Sequence, residues 1–276
     1  MSLQQKVRAS VGADGVFNLA AHDTADTPGV DGKDQAKQEL ADMADELFDL
    51  HEKLFAEDER ALLLVLQGTD ASGKNGTIKH VVRLVNPAGV SIASFVEPTE
   101  EERAHHFLWR IRKQVPRAGR LGVFDRSHYE DVLVPAAEGT LSAAEIDQRL
   151  EDINHFEHEL TESGVTVLKC LLHISYDEQR DRFLRRLRRD DKRWKFSEAD
   201  LETRQHWDQY QAAYGQTVAA THTDHAPWHV IPSDHKWYRN WAAASLLIET
   251  LTEMDPRYPE PDFDLEALRQ RLGHDA

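Results

Sequence analysis

The chain has 276 residues and a formal net charge of −16, with 33 Lys and Arg set against 49 Asp and Glu. That balance argues against a general nucleic-acid or anionic-membrane binder, so any polyanion it handles must meet a local concentration of basic residues. With 40% hydrophobic residues and one cysteine it can bury a sizeable core but cannot build a disulfide framework, and it shows neither a signal-like apolar segment nor a bilayer-length apolar run; the expectation is one large α/β domain in the cytoplasm.

Taken in order, residues 1–33 are rich in Ala, Asp, Gly and Thr with little apolar periodicity, and read as an arm that is flexible or laid on a neighbour. The remainder, 34–276, reads as one domain. Leu40, Met43, Leu47, Leu50 and Leu54 recur at helical spacing, predicting an amphipathic helix over 35–57. The unbroken run Leu62–Leu66 reads as a strand buried on both faces. It leads into Gly68-x-x-x-x-Gly73-Lys74 and then into a helical stretch from Thr77. Strand, glycine turn and helix N-terminus together form an anion site, in which loop amides from Gly68 through Ala71, Ser72, Gly73, Asn75, Gly76 and Thr77 face phosphate and Lys74 reaches its terminal oxygens. Asn75 stands where a Ser or Thr normally holds Mg²⁺. Asp70, inside the loop, would crowd a bound phosphate unless a cation lay between them, so it reads as a metal ligand, with a turn residue as the plainer alternative.

A second strand is expected over 90–96. Thr99 and Glu102 form a capping box for a helix carrying His105, His106 and Trp109 through Arg110. The adjacent histidines do not share a helix face and read as surface or core residues rather than metal ligands. Arg120–Asp125 reads as a short buried strand ending in a carboxylate, where open α/β sheets bind ligands, so Asp125 reads as the second Mg²⁺-organising residue. Arg126 is placed to contact a phosphate, and Glu130 to line the same cleft. A helix over 141–160 starts at Ser142 with Glu145 in capping-box position, and 165–174 is the fourth strand, holding the buried Cys170. Then comes a dense basic run, Arg180, Arg182, Arg185, Arg186, Arg188, Arg189, Lys192, Arg193 and Lys195, with Phe183, Leu184 and Leu187 between. It predicts a helix with a basic face which, with a second helix over 198–219, makes a phosphate-gripping lid across about 176–215. A last edge strand over 226–232 and a closing helix over 236–254 complete the chain.

These segments resemble the family-2 polyphosphate kinases. The likeness rests on Gly68-x-Asp70-x-x-Gly73-Lys74-x-Gly76-Thr77, Phe107-Leu108-Trp109-Arg110, the run from Phe124 to Val134, Lys192-Arg193-Trp194-Lys195-Phe196-Ser197 and Ala226-Pro227-Trp228-His229-Val230-Ile231-Pro232, in family order. The resemblance implies a three-layer α/β/α P-loop kinase fold with a five-stranded parallel sheet and a helical lid. It implies Mg²⁺-dependent phosphoryl transfer between inorganic polyphosphate and a nucleotide, ADP, ATP or AMP, with GDP and GMP as further acceptors. On that likeness Lys74, Asp70, Asp125 and Arg126 carry catalysis, and Arg182, Arg186, Lys192, Arg193 and Lys195 hold the polymer. Tyr129–Val134 resembles the subgroup that accepts nucleoside monophosphates, whereas Asp125 stands where many of its members have Asn, so AMP and ADP stay open as acceptors. An ATP-dependent nucleotide kinase and a non-catalytic polyphosphate or nucleotide sensor are the competing readings. The arm and the amphipathic first helix suggest a homo-oligomer, dimer or tetramer.

Overall fold

A computed structural model describes residues 1–273. Five parallel strands, β1 (Ala61–Gln67), β2 (Val90–Ser94), β3 (Leu121–Asp125), β4 (Val165–His173) and β5 (Trp228–Pro232), lie in the order β2-β3-β1-β4-β5. The helices are α1 (Leu3–Val7), α2 (Lys33–Glu57), α3 (Lys74–Val81), α4 (Glu100–Arg103), α5 (Leu108–Arg112), α6 (Glu130–Glu138), α7 (Ala143–Glu162), α8 (Tyr176–Leu187), α9 (Ala199–Gln205), α10 (Trp207–Thr221), α11 (Lys236–Met254) and α12 (Leu265–Leu272).

The continuous apolar runs become central strands because both sheet faces are covered. On one face Leu63, Val65, Phe124, Val167 and Leu171 pack against α5, α6, α7 and α10. On the other Leu62, Leu64, Leu66, Val123 and Leu172 pack against α1, α2, α3 and α11. The result is the expected three-layer α/β/α sandwich. Register aligns Leu66 of β1 with Asp125 of β3, so the carboxylate ends the strand beside the glycine loop. No helix among the described residues is long and apolar enough to cross a membrane.

Residues 1–32 lie on this same body. Their scattered apolar side chains, Leu3, Val7, Ala9, Phe17, Leu19 and Val30, are buried although they show no period. Glu249 of α11 accepts from the Leu3 and Gln4 amides at 2.7 and 2.8 Å, which anchors the start of α1. Beyond α1 the chain runs along the outer side of β5, where Arg8 bridges His229 and the Ala9 amide donates to the Trp228 carbonyl at 2.8 Å.

Two expected helices are each interrupted. The Thr99–Glu102 capping box forms, but its helix stops at Arg103. His105 then stacks on Trp109, ring centroids 4.0 Å apart, and the chain turns so that Leu108 and Ile111 of α5 enter the core. His105 and His106 are exposed, and His106 Nε2 lies 3.2 Å from Asp152. The helix expected over 198–219 breaks at His206 into α9 and α10.

Candidate active site

The loop between β1 and α3 folds tightly. Gly68 and Gly73 take φ of +143° and +115°, and a Cβ on Gly68 would stand 2.5 Å from the Leu172 carbonyl. Lys74 is 7% exposed and folds back over its own loop, donating to the Gly68 carbonyl at 2.5 Å and to Thr69 at 3.3 Å. Burial, then the nearby Arg126, lowers its pKa. The helix opens at Lys74, so its unpaired first amides and positive dipole end face the loop. Thr77 does not replace the missing Ser or Thr: it is fully buried and its hydroxyl turns back to the Gly73 carbonyl at 3.4 Å. Instead Asn75 Nδ2 donates to Asp125 Oδ2 at 3.1 Å.

Arg126 follows Asp125 in the left-handed region, φ +63°, unusual for a side chain of this size. Its amide donates to the Leu66 carbonyl at 3.1 Å. Its guanidinium bonds Asp70 Oδ1 at 2.7 Å and lies 3.6 Å from Glu130 Oε2. Burial opposes its charge, but Glu130, Asp70 and Asp125 outweigh that and raise its pKa. Burial pushes the Glu130 carboxyl up, with Arg126 and Lys74 opposing. Oriented to satisfy its neighbours, the Gln67 amide donates to Glu130 Oε1 at 2.9 Å and accepts from Ser127. Two cations and three carboxylates thus converge on the mouth of the loop.

Among the described residues Asp70 Oδ2 and Asp125 Oδ1 carry no hydrogen bond, and no group of three His, Cys, Asp or Glu forms a closed metal cage. Two open carboxylates beside a phosphate loop suit Mg²⁺, which keeps waters and shares substrate phosphate oxygens rather than sitting in an all-protein cage.

Arg182 takes a different place from the one expected of a lid residue. It is 5% exposed, and all its donors are engaged. Nε bonds Glu178 at 2.7 Å, Nη1 bonds the Ala71 and Ser72 carbonyls at 2.8 and 2.6 Å, and Nη2 bonds the Ser233 and Asp234 carbonyls. It is a strut beneath the phosphate loop. Arg239 of α11, invisible to motif reading, lies beside it: 4% exposed, against Gly73, and donating to the Ser72 carbonyl at 3.3 Å. Burial and Arg182 bring its pKa down to about 9.

The basic run is also less free than its composition suggests. Nearby acids pair with it: Arg180 with Asp177 at 3.2 Å, Arg185 with Glu178 at 2.5 Å, Arg189 and Lys192 with Asp191 at 2.9 and 3.1 Å, Arg193 with Asp190 at 2.6 Å, and Arg186 with Asp200 at 3.9 Å. Among the described residues only Arg188 and Lys195 of that run lack an acidic partner, and Lys195 lies over the Trp194 ring. Thr203 of α9 borders the same cavity as Thr69 and Asp70 of the loop, and Asp200 at the start of α9 has its pKa raised by burial and by Asp70. Lys192, Arg193 and Lys195 lie between α8 and α9 rather than in the loop.

Between the loop, the segment after β2, α6 and α10 is a cavity of about 560 Å³. Phe95, Val96, Val134, Pro135, Tyr210 and Tyr214 form apolar walls, and Asp70, Arg126 and Glu130 border the side toward the loop. Arg110 props one wall, donating to the Val96 carbonyl at 2.7 Å and to Asp131 at 2.8 Å. The cavity's residues come from four separated segments, so no local motif announces it.

Comparison with known proteins agrees with this geometry. The family model described as polyphosphate kinase 2 matches residues 31–259. The AMP/ADP-polyphosphate phosphotransferase of Meiothermus ruber is 47% identical over 92% of this chain and 96% of its own. The ADP-polyphosphate phosphotransferase of Rhodopseudomonas palustris is 36% identical over 95% of this chain and 96% of its own. The crystal structure of polyphosphate kinase 2 from Arthrobacter aurescens TC1 superposes with a TM-score of 0.95 at 44% identity, covering 100% of this chain and 98% of that one. A match across so much of the chain, in sequence and in fold, makes it a member of the polyphosphate kinase 2 family.

Proposed function

We propose that the chain transfers a phosphoryl group from inorganic polyphosphate to a nucleotide, with ADP and AMP both accepted, GDP and GMP as further acceptors, and the reverse reaction open to it. The observation that carries this reading is the shared border of two different sites. The loop with Lys74 fits a phosphate end, and the adjoining 560 Å³ cavity, half apolar, fits a base and sugar; Asp70 and Arg126 belong to both. The names of the Meiothermus and Rhodopseudomonas relatives support both acceptors.

Phosphoryl transfer needs positioning and charge neutralisation more than a special nucleophile. Lys74, now spent on two loop carbonyls, would turn to the donor phosphate. Arg126 would exchange its carboxylate partners for phosphate oxygens of the transferring group. Asp70 and Asp125 would hold Mg²⁺, whose contribution when bound is to offset charge on those oxygens. The acceptor is a phosphate oxygen, already anionic, so no strong general base is required. The α8–α10 projection acts as the lid, with Arg186, Lys192 and Arg193 exchanging their acidic partners for the polymer and Lys195, which has none among the described residues, joining them. The same proposal places the protein in the cytoplasm, away from nucleic acid and membrane, consistent with its net charge of −16. It also makes the chain a homo-oligomer, for which α2 offers Phe48, 43% exposed.

Product analysis tests the reading: purified protein, Mg²⁺ and long-chain polyphosphate, with AMP or ADP offered separately and no ATP added. ADP from AMP and ATP from ADP are the expected products. No product in either tube, with turnover once ATP is supplied to a monophosphate, would make it an ATP-dependent kinase instead. Mg²⁺-independent binding without any turnover would make it a sensor.

A further inference from the structure

Directly behind the Asp125–Glu130 turn lies a cluster of charged side chains that belongs to neither site. Lys169, in the middle of β4, and Glu157, on α7, are both 0% exposed. Lys169 Nζ donates to Glu157 Oε2 at 2.6 Å, to Tyr129 Oη at 3.0 Å and to the Thr221 carbonyl at 2.7 Å. The second oxygen of Glu157 accepts from Tyr129 Oη at 2.7 Å and faces His128 Nε2 at 3.2 Å. Trp228 of β5 donates to Thr221 Oγ1 at 2.9 Å and packs against the Tyr129 ring.

Stability does not explain such a pair. Taking two charges out of water costs several kcal/mol per ion in general, and well-packed apolar residues of similar volume usually serve the core as well or better. What the cluster supplies is a fixed point joining four elements. His128 and Tyr129 are the second and third residues after Arg126, whose φ is +63°, and Glu130 follows at once. Ser127 Oγ accepts from the Tyr129 amide at 3.2 Å, so the turn is also tied to itself. Thr221 ends α10, the helix whose Tyr210 and Tyr214 wall the cavity.

We infer that the Lys169–Glu157 pair is a positioning device for the reaction. Through Tyr129 and His128 it fixes Asp125, Arg126 and Glu130 against the phosphate loop, and through Thr221 it holds the end of α10 to the same point. The inference rests on the proposed function only in placing Asp125 and Arg126 at the reacting phosphates. Neither Lys169 nor Glu157 touches substrate.

The test is the charge-free double variant Glu157→Leu with Lys169→Met, alongside Tyr129→Phe. In the double variant we expect cooperative unfolding to persist, kcat to fall at least tenfold and the Mg²⁺ concentration for half-maximal rate to rise several-fold. The KM for polyphosphate should stay within twofold, because Lys74 of the donor loop and the basic residues from Arg186 to Lys195 make no contact with the cluster. A folded double variant with kcat within twofold of the unaltered chain would overturn the inference. So would a loss spread equally over kcat, Mg²⁺ demand and polyphosphate KM, the mark of general loosening. If the double variant does not fold, Tyr129→Phe decides: kcat lowered severalfold at constant polyphosphate KM supports the inference, and unchanged kcat rejects it. Ratios are taken with whichever donor and acceptor the unaltered chain uses best. An unaltered chain that ignores polyphosphate therefore counts against the proposed function alone.

Discussion

Asn75 supplies at one remove what a Ser or Thr in that position would supply directly. Its amide donates to Asp125 Oδ2 at 3.1 Å and leaves Oδ1 toward the open side of the site. An Asn at position 125 could still accept that bond through its side-chain carbonyl, so Asp125→Asn should leave the fold intact while removing the charge proposed to hold Mg²⁺. We expect kcat to fall by orders of magnitude with little change in melting temperature; near-normal turnover would sink the metal assignment. Residue type and motif spacing singled out Asp70, Lys74, Asp125 and Arg126, each within a short, dense segment, and the fold brings the four side chains together. Those signals could not find Arg239, whose relevance depends on α11 crossing beneath the loop. Lys169 did leave a trace, as a single charge inside the apolar run of β4, but its partner Glu157 sits on another element and has no sequence signature.

At the scale of elements, Arg182 couples α8 to both the phosphate loop and the β5–α11 connection through bonds to four carbonyls. Arg182→Ala strands those carbonyls and removes one of the two arginine partners of Glu178. A loss of about 3 kcal/mol in stability is expected, together with weaker binding of every phosphate ligand, measured by denaturant unfolding and isothermal titration. The lid tip should behave otherwise. Lys192→Ala with Lys195→Ala removes groups that are solvent-exposed or only half-buried, so stability should hold while the KM for polyphosphate rises more than the KM for nucleotide. Equal increases in both would reject the lid assignment. The helix of this lid was legible from Phe183, Leu184 and Leu187. Its charge state was not, because acids at several spacings, from the adjacent Asp191 to Asp200 on the next helix, offset much of what looked like an uncompensated basic face. Likewise the early stop at Arg103 reflects packing that overrides local periodicity, since Leu108 and Ile111 must reach the core. Strands fared better: a strand covered on both faces must be apolar throughout, and that requirement is written in one short run.

For the molecule as a whole, two buried histidines set an acid limit. Burial brings His173 and His229 to about 4, opposed for His229 by its bond to the Lys169 carbonyl. In the unfolded chain they titrate near 6.5, so between about 6.5 and 4 the unfolded state binds the extra protons. Stability should therefore be complete above that window and decline as pH falls through it, by up to about 3 kcal/mol per histidine. Denaturant unfolding from pH 7 to pH 4 measures the slope, and His229→Gln should flatten it; an unchanged slope would assign the effect elsewhere.

The strip of backbone from Arg8 to Ala9 along β5 has a consequence for how the protein keeps company with itself. A parallel sheet ends in a row of unpaired amides and carbonyls, an open invitation for another chain to add a strand. Here the chain's own beginning covers the start of that row, with Arg8 opposite His229 and the Ala9 amide on the Trp228 carbonyl, and Glu249 keeps it in place by holding the start of α1. Removing residues 1–10 would leave the proposed catalytic residues where they are but expose an apolar edge containing Val230 and Ile231. We expect such a truncation to keep its activity when cold and dilute, and to aggregate on warming at concentrations where the whole chain stays clear, as light scattering would show. In that sense the first ten residues serve as a built-in chaperone for the sheet rather than as an appendage to it.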